Sequence, residues 1–514
     1  MKRLCVLLIA LTMLLCGCGG KGDYVPTGDG LSWDEDYTGP VATRPQTDEK
    51  QDVSMPYYAN ITMNPIDCTD DTNRAFLSLI YQGLFAVNRD YQVEPILCGR
   101  YSMAKDMKSY TFYVDEKATF SNGTPVTGAD VAASLLRAKD STYYSGRFLH
   151  IKSVTLAEDG GVALSLDTAC ENLPILLDIP IIPENQLADT HPLGSGPYVL
   201  DSTGSHWLLR RRTNWWCKGD VTPNADTIIL ARAESATQIR DDFQFADLNL
   251  VVTNPCSDRY ADYRSDYEVW DCESGVFIYI AVSASSPVID SPQFRAALTY
   301  AVDRDTLAED YYRGFGKSAT LPASPLSPYY NKGLAARYGY DPEKFQATVQ
   351  ELGKEGTQIR FLVNSEDSLR VRAARMIAEE LTRAGLVVTM MELGGNAYVN
   401  AIKNRTFDIY MGQTKLSANM DLTAFFHSRG ALSYGGVDNM EAYTLCLQAL
   451  ENHGNYLTLH QNIMDNGLLC PVLFCTKGVY AARSAVTDLA PSRDNLSFYS
   501  IGKTMEGAFI RDTE

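Results

Sequence analysis

After its first eighteen residues this 514-residue chain has no apolar run long enough to cross a bilayer, which takes about 20 residues as a helix. A helical membrane-spanning body is therefore excluded. Basic residues are few: 45 Lys and Arg stand against 63 Asp and Glu, a formal charge of −18. Neutralising phosphates takes a basic surface, so no nucleic-acid partner is expected. Histidine is scarce as well, with six in all. His453 and His460 are seven apart and none form a close metal-ligand pair.

Catalytic signatures are missing too. There is no HExxH, GxSxG or GxGxxG, and Gly194-Ser195-Gly196-Pro197 lacks the spacing of a nucleophile elbow. Gly314-Phe315-Gly316-Lys317-Ser318 approaches a P-loop, but Tyr311 stands where the first glycine belongs. With 63 acidic residues, carboxylate pairs occur at any spacing and carry no weight for glycosidase chemistry. No enzyme class, cofactor or metal is named by these residues. Of the 12 cysteines, Cys5, Cys16 and Cys18 lie at the start, which leaves nine: Cys68, Cys98, Cys170, Cys217, Cys256, Cys272, Cys446, Cys470 and Cys475. An odd number cannot all pair within one chain, and no CxxC points to zinc. Small buried thiols are the expectation, with disulfides left unassigned.

What is present begins at the N-terminus. Lys2 and Arg3 precede an apolar run, residues 4–15, too short to span a membrane, which reads as an export signal. It ends in Leu15-Cys16-Gly17-Cys18, which resembles the bacterial lipobox with a small residue before the lipid-modified cysteine. Residues 1–17 are then the signal peptide and Cys18 the lipidated mature N-terminus, since two acyl chains suffice for stable anchoring. Residues 18–52, rich in Gly, Thr and acids, read as a flexible spacer in which Trp33 and Tyr37 are stray aromatics.

Within the body, residues 359–363 alternate as a strand. Leu369, Ala373, Met376, Ile377, Leu381 and Ala384 recur at helical spacing, and Gly385 ends the helix. Strand 386–393, helix 397–404 and strand 407–411 follow, which predicts a parallel, doubly wound sheet. Ser291-Pro292 opens a helix, Asp305 is placed to cap another, and 321–330 is a proline-punctuated loop. The polar stretch 257–275 gives way to a strand at 276–282, and a domain crossing is expected near Ser274. In the N-terminal half, 110–114 reads as a strand, and 162–166 and 207–210 read as antiparallel strands. Asn122-Gly123 reads as a turn, and a helix opens at Gly128-Ala129-Asp130 and runs through Leu136, capped by Asp130. Trp216 is expected to be buried.

Several segments, in order, resemble the bacterial family 5 extracellular solute-binding proteins, receptors of peptide, nickel and related ABC importers. These are Asn64-Pro65-Ile66-Asp67; Tyr81-Gln82-Gly83-Leu84 with Pro95-Ile96-Leu97; Tyr110-Thr111-Phe112; Gly123-Thr124-Pro125; and Asp130-Val131. Downstream come the GSGPYVL stretch at 194–200, Asn214-Trp215-Trp216, FRAALTYAVDRDTL at 294–307 and a helix-strand unit ending in FDIYMG. The resemblance spans roughly residues 56–510. It implies an α/β, two-lobed, hinged periplasmic-binding-protein-like (type II) fold with mixed sheets and an extra subdomain in the first lobe. Lobe 1 would comprise 53–85, 181–274 and 475–514, its subdomain 86–180, and lobe 2 275–474. Solute would enter the cleft and favour closure.

Peptide members hold the ligand's α-amino group with an aspartate that opens an Asp-Tyr-x-Asp/Glu-Pro segment after a Gly-Trp pair. The corresponding stretch here is residues 412–426. Aligning Asp421 with the family's second acid and Phe425 with the aromatic after it puts Ala418 at the amine-anchoring position. Gln413 takes the tryptophan position, with one residue inserted between. A buried ammonium without a counter-charge costs several kcal/mol. Either Asp421 supplies the charge from a shifted backbone, or the ligand is not a free-amine peptide. Lys415 is a candidate carboxylate ligand, a solvated loop residue being the plain alternative, and Tyr434 is a candidate stacking partner. The resemblance thus implies an exported receptor, lipid-anchored on the outer side of the cell membrane, monomeric, without cofactor or metal. It would deliver a peptide or other small-molecule solute to ABC permease subunits. A non-transport sensor of the same fold and an exported enzyme without a recognisable motif are the alternatives.

Overall fold

The computed structural model describes residues 53–482, except 204–205, 218–224, 246, 258–259, 261, 264–266 and 428, together with 491–494, 496 and 509–511. The expected signal peptide, Cys18 and the spacer lie outside the described residues. No described helix is long and apolar enough to cross a membrane.

The chain opens with β1 (Val53–Tyr58), α1 (Asp71–Leu77) and a small hairpin, β2 (Phe85–Val87) and β3 (Val93–Pro95). Then come β4 (Cys98–Met103), β5 (Ser109–Val114), α2 (Gly128–Lys139), β6 (Ile151–Leu156) and β7 (Val162–Leu166). β5 alternates as its sequence requires, with Tyr110 and Phe112 buried and stacked at 5.8 Å. Helix α2 starts at Gly128, as expected, and runs past Leu136 to Lys139. Thr127 is its N-cap, accepting from the Asp130 N–H, while Asp130 reaches back to the Thr127 N–H at 2.9 Å. Asp130 is the return half of a capping box rather than the cap, because the threonine hydroxyl already occupies that position.

β8 (Tyr198–Thr203), β9 (His206–Arg211) and β10 (Thr227–Ala233) form an antiparallel ribbon to which β1 adds in parallel. The GSGP and NWW segments meet here. Both indole N–H groups, Trp215 and Trp216, donate to the Ser195 carbonyl at 3.1 Å. Trp215 is the buried ring and Trp216 only half-buried, since its edge reaches the Gln82 side chain instead of the core.

β11 (Leu250–Thr253) leads to β12 (Tyr267–Val282), a 16-residue strand. Sequence reading starts this strand at residue 276. The polar half, 267–273, is also strand because it pairs with β17 (Leu469–Ala482), whose residues are nearly all buried. The two strands run antiparallel along most of their length, with a bulge between Glu273 and Phe277 where Gly275 takes φ +75°. Between them lie α3 (Pro292–Ala297), β13 (Gly316–Ser318), β14 (Gln358–Asn364), α4 (Ser368–Arg383), β15 (Val387–Leu393), α5 (Gly395–Asn404) and β16 (Ile409–Lys415). As expected, Ser291 caps α3 and β16, β14 and β15 pair in parallel. The sheet as a whole is mixed, because β12 lies antiparallel to β16. The apolar stripe Leu369, Ala373, Ile377 and Leu381 of α4 is buried against it. The cap expected at Asp305 is Asp303, which accepts from the Thr306 N–H at 3.1 Å; Asp305 falls inside the first turn. Finally β18 (Phe509–Arg511) pairs in parallel with β4.

Candidate ligand-binding cleft

Long-range pairing brings together charged residues that stand far apart in the chain. Helix α1 contributes Asp71 and Arg74; the segment after α2 contributes Tyr143, Tyr144 and Arg147; Asp178 follows. Lys415 is the last residue of β16, Lys477 lies in β17, and Arg493 and Asp494 belong to the C-terminal segment. Asp494 is the centre. Its carboxylate accepts from Tyr143 OH at 2.6 Å, Lys415 Nζ at 3.0 Å and Arg147 Nη2 at 3.1 Å, with Arg493 Nε at 3.5 Å. Arg147 also pairs with Asp178, and Lys477 with Asp71 at 3.4 Å. The Arg74 guanidinium lies 3.4 Å from the centroid of Tyr143 and donates to Tyr144 OH and the Cys68 carbonyl.

Removing charge from water is costly, so each group settles where its neighbours allow. Burial would raise the Asp494 pKa, but Lys415, Arg147, Arg493 and Lys477 outweigh it and hold the carboxyl well below its usual range. The Lys415 side chain is 30 % exposed, yet crowding within the cluster and the repulsion of Lys477, Arg493 and Arg74 outweigh Asp494 and lower its ammonium to about 7. Burial likewise leaves Asp178 above the ordinary carboxylate range even beside Arg147. Glu273 of β12 is raised by burial as well, although Tyr91 and Ser324 both donate to it.

Two cavities flank Asp494. One, of about 70 Å³, is lined by Arg74, Tyr81, Gln82, Glu94, Tyr144 and Asp178; the other, of about 20 Å³, by Asp71, Arg74, Lys477 and Ser492. Gln82 is buried, and its Nε2 has no hydrogen-bond partner among the described residues. That leaves a donor at the cavity wall. A wider groove of about 800 Å³ at the start of α1 is lined mostly by exposed and half-exposed residues.

Of the residues singled out from sequence, only Lys415 belongs to this cluster. Gln413 is exposed on β16, and Ala418 is buried in the core. Phe425 packs edge-on against Tyr279 at 5.1 Å; Tyr434, 39 % exposed, lies edge-on to Tyr410. Asp421 is already engaged. His150 Nε2 meets its carboxylate at 3.1 Å, the Thr423 N–H donates to it at 2.8 Å, and His150 Nδ1 faces Asp167 at 3.2 Å.

Burial would lower the His150 pKa, but the hydrogen bond and charge of Asp421, with Asp167, raise it above 6.5; His150 in turn holds Asp421 below 3.8 against its own burial. A raised imidazolium stabilises the fold fully below its unfolded pKa and loses that contribution as pH rises through the folded value. A lowered carboxylate does the reverse in acid. The contact is therefore strongest between about pH 4 and pH 6.5. His150→Phe is expected to cost about 2 kcal/mol near pH 5.5 and clearly less near pH 8.5. Urea unfolding at the two pH values checks this.

Sequence reasoning did not find Arg74, Arg147, Asp178, Lys477 or Asp494, because their partners are set by tertiary pairing. Tyr81 and Gln82, of the cavity lining, stood in a recognised segment, Tyr81-Gln82-Gly83-Leu84.

Residues 92–432 match the family model "Bacterial extracellular solute-binding proteins, family 5 Middle". The glutathione-binding protein GsiB of Shigella boydii is 23% identical over 366 residues, covering 68% of this chain and 71% of that protein. Among solved structures, HbpA2 from Haemophilus parasuis superposes with a TM-score of 0.74 at 18% identity, covering 87% of this chain and 98% of its own. NikA from Brucella suis, in complex with Fe(III)-EDTA, gives 0.70 at 18% identity, covering 88% and 100%. The fold is thus the two-lobed, hinged α/β type, and with two thirds of its length matched, the chain belongs to the bacterial extracellular solute-binding proteins, family 5.

Proposed function

We propose that the protein is the membrane-tethered solute receptor of an ABC importer and that its cargo is a small zwitterion, a short peptide or a solute of similar charge. Lobe 1 is assigned to residues 53–85, 181–274 and 475–514 with a subdomain at 86–180, and lobe 2 to 275–474, so that β12 and β17 are the connecting strands. The observation that carries the cargo reading is the pair of strained ionisations in the Asp494 cluster, where Lys415 of lobe 2 reaches Asp494 and Arg147 links Asp494 to Asp178. Lys415 is held near pKa 7 and Asp178 is held high, so each lacks full compensation. A ligand carboxylate near the first and a ligand ammonium near the second supply the missing counter-charges. Gln82 Nε2 adds a directional donor. The relatives agree in kind, since glutathione and Fe(III)-EDTA both carry several carboxylates.

A ligand carboxylate that raises the Lys415 pKa makes binding take up a proton at pH values above about 7. Calorimetric titration with glutathione and with unmodified tripeptides near pH 8, in buffers of different ionisation enthalpy, reads that uptake. Uptake is expected for a binding solute and is lost in Lys415→Met. Binding with no buffer dependence rejects Lys415 as the carboxylate partner.

Cys18 is the proposed site of lipidation, and the 18–52 segment the tether that keeps the receptor near its permease. Cys18→Ala is expected to move the protein from the membrane fraction to the soluble one. Continued labelling by a radioactive fatty acid contradicts the assignment.

A further inference from the structure

Cys475 lies in β17 opposite the β12 bulge: its carbonyl accepts from Ser274 Oγ at 2.8 Å, and Gly316 of β13 is its register partner. Cys256 arrives from elsewhere, in the short turn that follows β11, where its N–H donates to Asn254 Oδ1 at 3.0 Å. Its Sγ donates to the Phe315 carbonyl at 3.2 Å and lies 4.0 Å from the Thr476 carbonyl. The same Phe315 carbonyl accepts from the Thr476 N–H at 2.8 Å and Thr476 Oγ1 at 3.0 Å, so Cys256 sits on the Cys475–Thr476 peptide. Both side chains join one apolar cluster with Tyr312 and Leu473. The Cys475 thiol faces Cys256, and that neighbour together with burial pushes its pKa well up. Cys475 is almost fully buried, whereas Cys256 is half-exposed.

We propose that Cys256 and Cys475 are a redox-active pair that closes to a disulfide, stapling the turn after β11 to the strand that passes through the bulge. The oxidant is an external disulfide, either a low-molecular-weight one or that of an exported oxidoreductase. The more accessible Cys256, as thiolate, attacks one sulfur of the external disulfide. A mixed disulfide forms and the first thiol leaves. Cys475 then loses its proton and attacks the Cys256 sulfur; the protein disulfide forms and the second thiol leaves. Two protein thiols are oxidised and one external disulfide is reduced to two thiols. β11 already pairs with Gly478–Ala481, so a bond from Cys256 to Cys475 extends that tie past its Thr253–Gly478 end and stiffens β17 beside the bulge.

The test uses the full chain treated with hydroxyethyl disulfide, then denatured, alkylated with iodoacetamide, digested and weighed. The expected result is a reductant-sensitive linkage joining the Cys256 and Cys475 peptides, with two alkylated thiols fewer than in the reduced protein. In Cys256→Ser, which alters only a half-exposed turn, Cys475 is expected to stay fully alkylated. Amide hydrogen exchange over residues 474–477 is expected to slow at least several-fold on oxidation. Cys256 trapped only as a mixed disulfide with Cys475 free, either cysteine linked elsewhere, or unchanged exchange would each overturn the proposal.

Discussion

Asp494→Asn is expected to lower the unfolding free energy by about 3–5 kcal/mol at neutral pH, the cost of removing one partner from a buried ion pair. The carboxylate is bonded by Tyr143, Lys415 and Arg147 and faces Arg493, while its own side chain is 5 % exposed. Asparagine preserves the shape and withdraws the charge. Arg147 and Arg493 cannot shed a proton to relieve the repulsion that follows. Lys415 can, since its pKa already lies near 7. The loss should therefore shrink as pH rises above that value, because the ammonium is then neutral in variant and wild type alike. Urea unfolding between about pH 6 and pH 9 checks both the size and the slope, and a loss under about 1 kcal/mol at every pH would show that Asp494 does not hold the cluster together.

Gly275→Ala is expected to cost about 3 kcal/mol and to weaken ligand binding at least tenfold. Two effects add. Gly275 has φ +75°, a conformation that costs an L-residue about 1–2 kcal/mol, and a Cβ there overlaps the guanidinium of Arg493. Arg493 donates to the Leu416 carbonyl while the Leu416 N–H donates to the Gly275 carbonyl at 3.0 Å, so the alanine disturbs both ends of one exchange. A buried charged hydrogen bond is worth about 1.5–3 kcal/mol. The position lies in the bulge of β12, beside Lys415 in register with Val276, so displacement there reaches the cluster directly. Thermal unfolding and calorimetric titration of the same preparation separate the stability loss from the binding loss.

The elements that sequence made legible were those written in local periodicity. The stripe of α4 and the alternation of the parallel strands need only neighbours along the chain, and Ser291-Pro292 opens α3 by its own chemistry. Where two plausible caps compete, as at Thr127 and Asp130 or Asp303 and Asp305, the outcome depends on which side chain meets the third N–H; periodicity does not decide that. Residues 267–273 look like loop because they are polar, yet their partner β17 lies some two hundred residues away and supplies the ladder. The charge cluster was illegible for the same reason. Lys415 and Asp494 are 79 residues apart, and Arg147 and Asp494 are 347, and nothing local in either segment announces the other. Family resemblance identified the stretch around Asp421, but not that His150 already neutralises that acid.

Native mass spectrometry of the full chain purified without added solute tests the account most directly. A receptor with this cleft should carry one small solute per protein molecule. That solute should be released on unfolding, bear at least one carboxylate and one amino group, and be absent from Asp494→Asn. A protein that flies only as the free chain, and whose melting temperature is unmoved by glutathione, tripeptides and carboxylate chelates alike, would contradict it.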